Sequence, residues 1–214
     1  EVKEAKNNGE SLTLKVKYLK DDFPLLPDTN KVAEYFPNPE AETFFFDNAC
    51  RVITTIRGDD LPLKESGRTL LAGQISQFFR AAAPYFPGSD IYDYDYAPIE
   101  YSYPAEREYM QQIAGSYDTI IFCLLNKHSL QVLQTLKDFK GKLIVISALT
   151  PVYLQELDWV KNAVAVYGLG EDSFRAGFSV IRGDFESEGT LPIDNISAGK
   201  VHIQYRKGLK RTAL

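Results

Sequence analysis

From about residue 68 onward the chain alternates short apolar, β-branched runs with segments whose apolar residues recur every three or four positions. That alternation is the signature of β-α units laid on a mostly parallel sheet. Strands are predicted at Arg68–Ala72, Ile91–Tyr94, Thr119–Leu124, Leu143–Ser147 and Ala163–Tyr167. The third and fourth are almost continuously apolar, as expected of strands covered on both faces. Covering helices are predicted at Ile75–Phe86, Ala105–Ser116, Ser129–Phe139, Val152–Val160 and Asp172–Arg182. In the third of these, Leu130, Val132, Leu133 and Leu136 form the apolar face and Gly141 supplies a stop beyond it. The pattern implies an α/β core built on a mostly parallel sheet.

The first 67 residues lack this rhythm. Pro24, Pro27, Pro37 and Pro39 interrupt it and leave one short helical candidate around Val32–Phe36. Arg51–Arg57 is rich in β-formers and runs into the turn signal Gly58-Asp59-Asp60. We therefore read residues 1–45 as linker and residues 46–214 as the sandwich, with Glu1–Lys20 a helical remnant of something upstream. The sequence opens on Glu1 with no basic, then apolar, leader, which reads as a fragment of a longer polypeptide.

Composition narrows the function classes. The 214 residues are 44% apolar and 25% charged, enough for one full core. Basic residues number 24 and acidic residues 29, a net charge of −5. A mild acidic excess with scattered lysines argues against a nucleic-acid partner, which would want a clustered basic face. The longest charge-free stretches, Thr119–Asn126 and Leu143–Gln155, fall short of the roughly 20 apolar residues of a membrane span. Cys50 and Cys123 are too few for a disulfide framework and suggest no metal site, and Cys123 reads as a small buried thiol. No cofactor is implied.

Candidate chemistry is sparse. Splitting a glycosidic bond takes two carboxyl groups facing one sugar, and no spacing here singles out such a pair. The acidic clusters Asp59-Asp60 and Glu186-Ser187-Glu188 read as solvated turns. Of the two histidines, His128 follows a predicted strand in the loop Leu125–His128 that opens a helix, at the edge where open parallel sheets bind ligands. An ordinary helix-start residue is the competing reading. His202, between Val201 and Ile203, faces solvent from a strand-like run. Gly168-Leu169-Gly170 sits where a phosphate-binding turn would, but position 173 is Ser, so the third glycine of the dinucleotide fingerprint is missing and a tight strand-to-helix turn accounts for the pair. There is no Gly-x-Ser-x-Gly elbow. Tyr92, Tyr94, Tyr96, Tyr101 and Tyr103 recur at even spacing within two groups, each on one face of an extended segment, suited to stacking on sugar rings or to packing against a neighbouring domain.

Several segments taken together resemble the C-terminal domain of glycoside hydrolase family 3, in its β-N-acetylhexosaminidase-like branch. Gly183-Asp184-Phe185-Glu186-Ser187-Glu188-Gly189-Thr190-Leu191-Pro192-Ile193 is similar to the family's closing Gly-x-Leu-Pro segment. Asn48–Arg57 followed by Leu61-Pro62-Leu63 resembles the strand that enters the second domain, and Lys142–Ala148 followed by Thr150–Leu154 resembles a later strand, proline turn and helix. Glu4–Gly9 and Leu12–Tyr18 look like pieces of the last helices of a barrel domain. The resemblance implies a three-layer αβα sandwich with a mostly parallel, roughly six-stranded sheet, flavodoxin-like or Rossmann-like, and a partner (β/α)8 barrel upstream in the same polypeptide, carrying the aspartate nucleophile and, in this branch, a histidine-aspartate acid-base pair. In the β-glucosidase branch a glutamate of the second domain supplies the acid, but the matching stretch here, Leu124–Ser129, holds no carboxylate.

The expected function is therefore a non-catalytic domain of an enzyme that removes terminal β-linked N-acetylglucosamine, with no catalytic residue of its own. A barrel takes roughly 250 residues, more than the chain holds. Sheet geometry nominates Asn126, Lys127, His128, Thr150, Gly168 and Gly170 as residues at the rim of a carbohydrate site. The rival readings are a free-standing flavodoxin-like ligand-binding module and a hydrolase active by itself.

Overall fold

The computed structural model describes residues 28–96, 104–192, 194–197 and 200–203. It divides into two compact units, residues 1–39 and 40–214. In the first, the Asp28 side chain accepts the Asn30 N–H and caps a 3-10 turn, Thr29–Lys31, followed by the helix α1, Val32–Tyr35. This is the short helix expected at Val32–Phe36. The helical remnant expected at Glu1–Lys20 lies outside the described residues, as do Tyr101 and Tyr103.

Helix α2, Pro39–Val52, is a correction to the sequence reading, which placed linker up to residue 45 and strand-like structure from Arg51. The sequence pattern treats Pro39 as a breaker. At the first position of a helix its missing N–H costs nothing and its fixed φ favours the helix. Glu40 and Glu42 in the first turn and Arg51 in the last complement the helix dipole.

The second unit carries a six-stranded sheet in the order β1-β6-β5-β4-β2-β3. Its strands are β1 Thr54–Gly58, β2 Thr69–Gly73, β3 Asp90–Asp93, β4 Thr119–Leu124, β5 Lys142–Ser147 and β6 Asn162–Ala165. All pairs are parallel except β1 with β6. A separate antiparallel pair, β7 Asn195–Ser197 and β8 Lys200–Ile203, follows. His202 lies in β8, whose side chains are outside the described set.

Side chains alternate between the two faces of the sheet and build two cores. On one face Leu71, Ile121, Ile144, Ile146 and Val164 pack under α3, Ser76–Ala82, and α6, Glu171–Arg182. There the buried rings of Phe174 and Phe178 sit 5.6 and 5.4 Å from Phe78. On the other, Leu70, Ile120, Phe122, Val145 and Ala163 meet Met110 of α4, Pro104–Ala114, and Leu130 and Leu133 of α5, Lys127–Gln134. The chain is thus a three-layer αβα sandwich, with the mostly parallel sheet that its hydrophobic pattern predicts. Among the described residues no helix is long and apolar enough to cross a membrane.

A second correction concerns Val152–Val160, expected as a helix and found as a 3-10 helix over Pro151–Glu156. The carbonyls of Leu154, Leu157 and Val160 accept hydrogen bonds from the Arg57 guanidinium of β1. With these carbonyls satisfied from outside, a continued α-helical ladder is not needed there.

The closing segment is a structural stitch. Gly183 takes φ +88° and, with Asp184, caps α6 through bonds to the carbonyls of Ser179 and Val180. The chain then returns along β1, where the Ser187 hydroxyl lies 2.7 Å from that of Thr55, and Gly189 N–H donates to the Ile53 carbonyl.

Candidate functional site

The sheet order reverses beside β2. The chain passes from β2 to β3 on one side and then crosses back to β4 on the other, so the carboxyl ends of β2 and β4 flank the crevice where open α/β sheets receive ligands. Three chain segments converge there. Gln74 directly follows β2, Tyr94 directly follows β3, and Asn126 and His128 follow β4. All four are buried.

Local hydrogen bonding fixes the loop after β4. Asn126 and Ser129 form a reciprocal capping box at the start of α5. The Ser129 hydroxyl oxygen accepts the N–H groups of Leu125 and Asn126, each at 2.9 Å, and donates to the Asn126 carbonyl. Asn126 Oδ1 accepts the Ser129 N–H. The box consumes the asparagine oxygen and leaves its Nδ2, buried, with no hydrogen-bond partner among the described residues. Gln74 Nε2 donates to the Asp95 carbonyl at 2.7 Å and to His128 Nδ1 at 3.2 Å, leaving Oε1 buried in the same condition. The Tyr94 hydroxyl and Glu106 Oε2, the latter in the first turn of α4, are likewise without a partner. Buried polar atoms normally find partners, so four such atoms on neighbouring elements mark a place suited to a polar ligand or water.

His128 and Tyr94 are held uncharged. Burial lowers the His128 pKa, against the opposing field of Glu106, so the ring is neutral and accepts at Nδ1. Burial raises the Tyr94 hydroxyl well above the ordinary range and pushes Tyr92 up to about 12. It also raises the Cys123 thiol, confirming a buried, inert cysteine. The Tyr94 ring meets the His128 ring edge-on at 5.6 Å and Tyr92 at 5.2 Å, with Tyr109 of α4 4.9 Å from Tyr92. Tyr92 and Tyr94 therefore pack within the domain, and of the three described tyrosines of the run only Tyr96 is exposed.

The structure divides the sequence-nominated rim residues into two groups along this edge. Asn126 and His128 join the buried set, while Lys127 points outward. Thr150, Gly168 and Gly170 lie further along, after β5 and β6. Thr150 caps the 3-10 helix through its side chain and accepts the Ser147 hydroxyl at its carbonyl. Leu149 and Tyr167, just before these loops, hold φ of 58° and 55°, the left-handed region that non-glycine residues rarely occupy. A Cβ on Gly168 would lie 2.5 Å from Ser173 Oγ, so the glycine allows α6 to start tightly against β6, whereas Gly170 faces open space. Nothing in the sequence pattern points to Gln74 or Glu106, and Tyr94 is visible only as one of the tyrosine run. Among the described residues no cluster of metal-ligating side chains occurs.

No family model and no curated protein matches the sequence. Solved structures do match in fold. A family 3 β-N-acetylglucosaminidase from Paenibacillus sp. str. FPU-7 superposes with a TM-score of 0.67 at 16% identity, covering 85% of this chain and 37% of that one. A fungal multi-domain family 3 β-N-acetylglucosaminidase matches with a TM-score of 0.59 at 16% identity, covering 100% and 26%. A β-glucosidase from Listeria innocua matches with a TM-score of 0.67 at 12% identity, covering 91% and 34%. The chain spans about a quarter to two-fifths of the length of these enzymes.

Proposed function

We propose that this chain is the second, non-catalytic α/β domain of a family 3 glycoside hydrolase whose whole polypeptide removes terminal β-linked N-acetylglucosamine. The observation that carries this reading is the coverage: most of this chain matches only about a third of a family 3 β-N-acetylglucosaminidase, as one domain of a larger enzyme does. The remaining part of such an enzyme is a (β/α)8 barrel, and it supplies the nucleophile. Phe44 and Phe45 of α2, 62% and 61% exposed on a helix that turns Phe46 and Cys50 toward the core, suit a partner surface of that kind.

The carboxyl edge of the sheet supports the division of labour. Its buried groups are neutral amides, a phenol and an imidazole, chemistry that hydrogen-bonds to hydroxyl and acetamido groups. Asn126, Lys127, His128, Thr150, Gly168 and Gly170, joined by Gln74 and Tyr94, form the domain's contribution to the rim. Glu106 faces this region, and its buried Oε2 has no hydrogen-bond partner among the described residues.

The test is an activity comparison. The isolated chain should release no p-nitrophenol from its β-N-acetylglucosaminide, while the polypeptide including the upstream barrel should. In that longer protein Glu106→Gln should leave kcat unchanged and Gln74→Ala should raise KM. Hydrolysis by the isolated chain, or a loss of kcat of about a hundredfold in Glu106→Gln, would contradict the reading.

A further inference from the structure

The opposite edge of the sheet carries a second concavity, of about 670 Å³, at the amino ends of β4, β5 and β6. Lys137, Lys140, Lys142 and Lys161 line it together with Trp159. The topology gathers them. Lys137 and Lys140 lie in the turn after α5, Lys142 opens β5, and Lys161 directly precedes β6, its neighbour in the sheet. The turn is tight because Gly141 backs onto the Asp118 carbonyl and the Phe139 ring, leaving no room for a side chain.

The charges in this groove are unbalanced. Lys142 Nζ donates to the Glu65 carbonyl at 2.8 Å, and Lys137, Lys140 and Lys161 make no ion pair among the described residues. Two acids share the lining, so four lysines against two carboxylates leave an excess of positive charge. Asp60 Oδ2 accepts from Asn162 Nδ2 at 2.9 Å, and Asp118 Oδ2 accepts the Arg68 N–H at 2.7 Å. A chain of net charge −5 thus concentrates four ammonium groups around its single tryptophan. Charges of one sign lining a cleft raise the local concentration of the opposite sign. An indole face beside them takes the apolar face of a sugar ring.

We propose that this groove binds an anionic sugar, a monosaccharide or short saccharide bearing a phosphate or a carboxylate. The lysines take the anion and Trp159 takes the ring. The volume lies within the ordinary range of small-molecule sites. The groove stands apart from the carboxyl edge, and the proposal does not depend on the glycosidase reading.

Because Trp159 is the only tryptophan, its fluorescence reports on the groove alone. Titration of the 214-residue chain at fixed ionic strength with glucose 6-phosphate and with glucuronate should give a saturable change with at least one of them, and neutral glucose should give none. The arm that saturates at lower concentration identifies phosphate or carboxylate as the anion. Lys140→Ala and Lys161→Ala, both at exposed positions, should weaken binding about tenfold each while far-UV circular dichroism stays unchanged. Calorimetry with Trp159→Phe should show a weakened but measurable heat. No saturable change with either probe, equal binding of neutral glucose, equal binding of inorganic phosphate, tighter binding of ATP, or full affinity in both lysine variants would each overturn the proposal.

Discussion

The two edges of one mostly parallel sheet carry opposite chemistry. At the carboxyl edge, Gln74, Tyr94, Asn126 and His128 are buried, neutral and fixed by a capping box, with hydrogen-bonding atoms left over. At the amino edge, Lys137, Lys140, Lys142 and Lys161 are exposed and charged, around a half-buried indole. The same strands begin and end in these two environments. The difference teaches that an open α/β sheet imposes its geometry on both ends but its ligand chemistry on neither; the residues just beyond the strands decide that.

Each edge rests on one residue that bonds several backbone groups, and removing it should have the largest effect. Arg57 holds three carbonyls of the segment that carries Trp159, so Arg57→Ala should cost about 2–4 kcal/mol and disturb the amino edge. Ser129 satisfies two buried N–H groups and one carbonyl, so Ser129→Ala should cost about 2–3 kcal/mol and loosen the carboxyl edge. Urea unfolding measures both. Hydrogen exchange should localise the first loss to residues 151–161 and the second to 125–130.

Glycines sharpen the contrast at smaller scale. Gly141→Ala forces a Cβ against the Asp118 carbonyl and Phe139 and should destabilise by about 1–2 kcal/mol. Gly170→Ala, at the other edge, enters open space and should change stability by less than about 0.5 kcal/mol. Equal effects at the two positions would mean that the turn at Gly141 is looser than its packing implies.

The smallest effect is in pH dependence. His128 binds its proton less readily folded than unfolded, because burial disfavours the charged ring. The unfolded chain therefore holds more protons below the ordinary histidine pKa of about 6.5, and stability is lost as pH falls from there toward the folded value. His128→Gln should make that decline shallower while leaving stability at pH 8 nearly unchanged. The slope of unfolding free energy against pH between 5 and 7, compared for the two proteins, checks it, with values set by roughly that window.

Much of this architecture was legible in the sequence. Thr119–Leu124 was predicted with its observed bounds and Leu143–Ser147 within one residue, because strands buried on both faces write uninterrupted apolar runs. The helix at Asp172–Arg182 was visible through its apolar spacing, and Gly183 through its likeness to the family's closing segment. What was missed depends on partners far along the chain. Helix α2 was hidden by a proline that starts it, and the 3-10 helix after β5 follows from Arg57, about 100 residues upstream. The candidate site was half visible. Asn126 and His128 could be nominated from their place after a strand, but Gln74 joins them only because β2 lies beside β4, and that order is not written in any local pattern.

Under the proposed function the carboxyl edge of the sheet faces a barrel domain. Hydrogen exchange compared between the isolated chain and a longer polypeptide that includes the proposed barrel tests this most directly. The account predicts added protection in the loops after β4, β5 and β6, around residues 125–128, 149–151 and 167–170, with exchange at 137–142 and 159–161 unaltered. Protection confined to the amino edge, or none at either, would contradict it.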